Sequence, residues 1–182
     1  VVNLTRFEVS LPEKRQFFIQ NSDLFTNYGD SRDGRPFFSR RIGVAKDLDG
    51  NTIENKIIAG ARLSGKIDED WRIGFLHMIT DEDLANEIPS NNNTVFSIQK
   101  KMFTRSNISL LMINRENRKK YDFTEDNETF NRLIGLDYNL ASPDNVYVGR
   151  AYFHKSFKPD SKNDDDDSSY GVKLERNTRE ST

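Results

Sequence analysis

The chain has two histidines, His77 and His154, and no cysteine. Without cysteine there are no disulfides, zinc–thiolate sites, iron–sulfur clusters or thiol nucleophiles. Each histidine lies in its own alternating apolar stretch with no partner motif, so both read as satisfied side chains facing a lumen or interface. Carboxylates are plentiful. Glu13 with Asp23, or Asp68, Glu69 and Asp70, would be the candidates for a glycosidase pair, but such a pair is defined by its separation in space. The run DSKNDDDD at 160–167 offers Asp164, Asp165, Asp166 and Asp167 as oxygen donors for calcium. It lacks the ligand spacing and glycine turn of an EF-hand, and adjacent like charges favour a solvated loop. No P-loop, G-x-S-x-G or H-E-x-x-H is present. No residue is therefore assigned as catalytic, cofactor-binding or metal-binding, and calcium at the four aspartates is the one cofactor candidate.

The elements that would position these groups are strands. The chain has 182 residues, a formal net charge of -2 and a mean hydropathy of -0.77. No basic excess points to nucleic acid, and no apolar run is long enough for a membrane helix. Low hydropathy suits a soluble protein. It equally suits a membrane β-barrel, in which only alternate residues face lipid.

From about residue 54 onward the pattern has period two. In residues 56–66, Ile57, Ala59, Ala61 and Leu63 share one face, and Arg62, Ser64 and Lys66 the other. Residues 71–80 put Trp71, Ile73, Phe75 and Ile79 together. Residues 94–103 put Phe96, Ile98 and Met102 together, with Lys100 intruding. Residues 108–114 are apolar on both faces. Residues 130–140 alternate again, with Arg132 intruding beside Phe130, and strands follow at 146–157 and from 169 to 176. Connections run short and long in turn, as in an outer-membrane barrel. The reading is an all-β, antiparallel up-and-down meander over residues 51–182, part of a transmembrane β-barrel region of about eight or nine strands. A soluble ligand-binding barrel shares the pattern.

Residues 1–50 differ. Strands are expected at 3–9 and 37–44, and a hairpin turn at DLDGN, 47–51. Two stretches are distinctive: VVNLTRFEVSLPEKRQFFIQNSDLF at 1–25 and RPFFSRRIG at 35–43. With IIAGARLSGK at 57–66, Asn114-Arg115, Gly135 to Asp137 and FHKSF at 153–157, they resemble an uncharacterised family of bacterial surface proteins. In that family a barrel-like region follows a family-9-type carbohydrate-binding module, and some members are labelled membrane-associated hydrolase. Gln20 stands where the family pattern has a glutamate, which speaks against hydrolysis by this segment.

The resemblance implies a segment of an outer-membrane surface protein with a structural, anchoring or glycan-handling role and no catalysis here. A membrane-associated polysaccharide hydrolase is the alternative. Residues 1–50 become an entry segment from an upstream module. Pro12, Glu13, Lys14, Arg15, Phe17, Phe18, Ser39, Arg40, Arg41 and Gly43 become its structural motif: Pro12 fixing a turn, the phenylalanines packing, Glu13, Lys14 and Arg15 pairing with lumen charges. The implied partners are outer-membrane lipid and, through the upstream module, polysaccharide; the implied location is the cell outer membrane. The chain opens on Val1 without methionine and ends without a terminal aromatic residue, so it reads as a piece with further strands beyond Thr182.

Overall fold

A computed structural model describes residues 16–30, 36–37, 39–125, 128–159 and 167–177, with Arg40 described by its backbone alone. Short helices α1 (Gln16–Ile19) and α2 (Asp23–Thr26) come first, then a single 3₁₀ turn at Ser39–Arg41. A small hairpin follows, β1 (Val44–Lys46) and β2 (Thr52–Glu54). The expected turn closes it: Asp47 Oδ1 accepts from Asp49 N and Asn51 N, and Gly50 adopts φ 82°.

Seven strands then form one antiparallel sheet in chain order. They are β3 (Ile57–Lys66), β4 (Trp71–Thr80), β5 (Asn91–Met102), β6 (Ser106–Asn117), β7 (Phe130–Ala141), β8 (Tyr147–Phe157) and β9 (Ser168–Arg176). The meander and its alternation of short turns with long loops stand as the sequence implied. The sheet is not closed; β3 and β9 are its edges, so among the described residues it forms an open meander rather than a barrel.

Register assigns the faces. On the outer face, Leu63, Phe75, Phe96, Met112 and Ile134 are successive Cα partners, as are Ile73, Ile98, Leu110, Leu136, Phe153 and Tyr170. Many of these are exposed, among them Leu63, Met112, Leu136, Phe153, Tyr170 and Val172. The inner face carries Leu76, Met78, Val95 and Leu111, which are buried beneath Phe18, Leu24, Phe25, Tyr28, Phe37 and Ile42 of the N-terminal segment. The apolar core therefore lies between that segment and the inner face. This explains why β6 is apolar on both sides: Leu111 meets the segment and Met112 faces out.

Three expectations need correction. Residues 37–44 are not a strand; Ser39–Arg41 is helical and Gly43, at φ 90°, breaks extension until Val44. Ile57 does not share the face of Ala59 and Ala61. The register shifts between Ile57 and Ala59, and Ile57 pairs with Thr80 and packs on the core. Among the described residues seven strands, not eight or nine, make the meander, and β1 and β2 form a separate two-stranded sheet. The expected strand at 3–9 lies outside the described residues.

Candidate functional site

The inner face is where side chains able to do chemistry converge. Asp137 in β7 is fully buried and His154 in β8 nearly so. His154 Nε2 lies 2.6 Å from Asp137 Oδ1, and Gly29 N donates to Asp137 Oδ2 at 2.8 Å. Tyr28 Oη is 2.7 Å from Ser97 Oγ and donates to Leu110 O at 3.1 Å. Burial pushes the Tyr28 hydroxyl up to about 12, and the nearby Asp137 charge acts in the same direction. The ring of Tyr152 lies on that of His154 at 5.1 Å.

Three arginines extend the contact. Arg62 donates to the carbonyls of Phe17 and Gln20 and lies 5.1 Å over the Phe25 ring. Arg72 clasps the Asp23 carboxylate at 2.6 and 3.2 Å. Arg150 donates to Gly29 O, to Asn27 Oδ1 at 2.6 Å and to Asn139 Oδ1 at 2.7 Å. Asn21 Nδ2 reaches Ser64 Oγ at 3.3 Å. Gly74 leaves room for this packing: a Cβ there would sit 2.7 Å from the Phe25 ring.

Chemically this is a latch. Both oxygens of Asp137 are engaged, and the phenol and serine hydroxyl bond each other in a closed space. A buried carboxylate accepting two donors, one of them a backbone N–H, fixes the donor chain in place. Tyr28, Ser97, Asp137 and His154 are all buried. The sequence read both histidines as satisfied side chains facing a lumen or interface; His154 lies on the inner face, bonded to Asp137. His77 faces out and meets Thr94 Oγ1 at 2.9 Å. Asp137 and Tyr28 were missed as partners because residues 28 and 97, or 29 and 137, are joined only by the fold.

The motif residues fare differently. Phe18 is buried in the core and packs edge-on against the half-exposed Phe17 at 5.3 Å. Ser39 is buried and Arg41 exposed. Gly43 holds positive φ, accepts from Asn55 N at 3.0 Å, and would place a Cβ 3.2 Å from Ile57. Pro12, Glu13, Lys14 and Arg15, the side chain of Arg40, and the aspartates Asp164 to Asp166 lie outside the described residues. Of the proposed carboxylate pairs, Asp23 is taken by Arg72, and Asp68 Oδ1 holds its own turn by accepting from Asp70 N and Trp71 N, both at 2.8 Å. Among the described residues no group of three or more acidic or histidine side chains could hold a metal ion.

The class defined by this architecture is an open antiparallel β-meander whose inner face is filled by its own N-terminal segment. The chain belongs to the family described as a domain of unknown function, DUF5916, whose model matches residues 1–180. No curated protein and no solved structure matches.

Proposed function

We propose that this chain is part of the wall of an outer-membrane β-barrel, with an anchoring role and no catalysis in this segment, the N-terminal segment resting on the lumenal face. Among the described residues no helix is long and apolar enough to cross a membrane, and the crossing proposed here is made by strands.

The single observation that carries the reading is how the apolar stretch slides along the outer face. In β3 it is centred on Ala61, the partner of His77. In β9 it is Tyr170, Val172 and Leu174, and Val172 is level, through Ala151, Tyr138, Ile108 and Lys100, with Trp71. That is about one residue of slide per strand crossed. With about 3.3 Å per residue and 4.8 Å between strands, a horizontal band would need strands tilted by about 35°, within the range of membrane barrels. The charges that break the pattern, Lys100, Glu116, Arg132, Lys155 and Arg176, all lie within two residues of a strand end. Lys100 lies 5.0 Å over Trp71 beside the short turns; Arg132 stacks on Phe130 at 4.3 Å beside the long loops. Cations cost little near an interface and aromatic rings favour it.

The test uses the sole tryptophan, Trp71. Purified protein is reconstituted into bilayers with brominated acyl chains. Strong quenching of Trp71 fluorescence supports the reading; fluorescence equal to that in unbrominated bilayers sinks it. Recovery of the intact parent outside the outer-membrane fraction would sink it as well.

A further inference from the structure

Residues 17–29 hydrogen-bond the inner face only as far toward the long loops as the row of Leu76, Val95, Ile113 and Leu133. Arg62, level with Leu76, holds Phe17 and Gln20, while Tyr28 and Gly29 bond Ser97 and Asp137 on the short-turn side of that row. The next row toward the long loops is polar. Asn93, Arg115 and Asn131 are successive Cα partners, and Asn91 pairs with Asn117 two residues further on. Arg115 and Asn131 are exposed, and Asn93 and Asn117 are half-buried. Among the described residues nothing hydrogen-bonds the amides of Asn93 and Asn117 or the guanidinium of Arg115, and Asn131 Oδ1 accepts one bond, from Ser156 Oγ at 3.4 Å. Beside them Asn91 Oδ1 is buried without a donor. Arg115 is the one charge in these two rows among the described residues, and the Glu128 carboxylate acts on it.

We propose that Asn93, Arg115, Asn117 and Asn131 form a binding site for a neutral ligand rich in hydroxyls, a sugar or short oligosaccharide. Each amide offers a donor and an acceptor. A hydroxyl also donates and accepts, so neighbouring hydroxyls on one ligand can pair with the nitrogen and the oxygen of the same amide. The amides stand on adjoining strands about 4.8 Å apart, and the planar Arg115 fork between Asn93 and Asn131 adds fixed donors. Glu128 balances that cation, so the patch has donors without a charge excess that would select an anion. The half-buried Ile113 and Leu133 border it and give the C–H face of a sugar ring an apolar surface. The site uses the inner face alone and stands whether or not the outer face meets lipid.

The experiment screens the detergent-solubilised full chain on an array of neutral oligosaccharides built on glucose, galactose, mannose and N-acetylglucosamine, with a sulfated oligosaccharide as the anionic comparison. Titration calorimetry follows with the strongest neutral binder, for which saturable binding is expected. Asn93→Ala and Asn131→Ala should each weaken it roughly threefold to tenfold, the size of one neutral hydrogen bond, and the double variant more. Asn92→Ala removes the same amide from the opposite face of β5 and should leave affinity unchanged. None of these amides holds the fold together, so folding is retained, as circular dichroism would verify. Binding of no neutral member, binding of the sulfated probe alone, affinity unchanged in the double variant, or an equal loss in Asn92→Ala overturns the proposal.

Discussion

Asp137 is the residue on which the inner-face geometry converges. Its two oxygens hold His154 and the backbone of Gly29 in a site without solvent. Asp137→Asn replaces one acceptor by a donor and leaves a buried group unpaired, so we expect a loss of roughly 1–3 kcal/mol. A cysteine probe at Leu24 in this cysteine-free chain would label faster in that variant, and an unchanged rate would refute the latch. Tyr28 offers a pH test. Its folded-state pKa is raised from the ordinary 10 to about 12, first by burial. The folded state then holds a proton that the unfolded state releases, so the stabilisation is complete below pH 10 and is lost as pH rises through about 12. The fall in denaturation midpoint across this window should shrink in Tyr28→Phe; an equal fall in both proteins would show that Tyr28 is not buried.

At the scale of elements, the N-terminal helices depend on the strand beneath them. Gly74→Ala puts a Cβ 2.7 Å from the Phe25 ring, which must move. Overpacking of this kind costs typically about 1–3 kcal/mol, and the loss should fall on the α2–β4 contact, read by hydrogen exchange of Phe25 N. The long loops have their own clasp. Glu82 accepts from Lys119 and from Tyr121 Oη at 2.8 Å, and Tyr121 Oη accepts from Ser90 N at 2.9 Å. The Lys119 hydrogen bond, then that from Tyr121, holds Glu82 below its ordinary 4.5. The clasp is therefore complete above pH 4.5 and is lost as pH falls through the lowered value. Protection of Ser90 N, corrected for the intrinsic pH dependence of amide exchange, should fall on acidification in the wild type, and Glu82→Gln should show no such step. The strands were legible because half-buried strands must alternate; Trp71–Thr80 matched to the residue. What was not legible had local or long-range causes. The bulge at Ile57 inverts a face without any compositional mark, and the helical turn at Ser39–Arg41 with Gly43 at positive φ delays extension until Val44. The latch joins residue 29 to residue 137, a contact that no local spacing encodes.

For the whole molecule, the outer face decides between two environments by the sign of one substitution. Met112 lies mid-strand in β6, is 45% exposed, and neighbours Phe96 and Ile134. If water covers this face, Met112→Arg places a charge where solvent already reaches, and the change in stability should stay within about 0.5 kcal/mol. If lipid covers it, the same charge lies near the centre of the apolar band and costs about 2–4 kcal/mol. Position then separates lipid from simple packing loss. Lys100→Arg, at the band margin over Trp71, keeps its charge at an interface and should be nearly silent in either case. Measured by denaturant unfolding from bilayers, a large cost at Met112 with little at Lys100 is the outcome that a membrane wall requires. Equal small costs at both positions would place the apolar band against water, and its slide across the seven strands would then have no membrane to explain it.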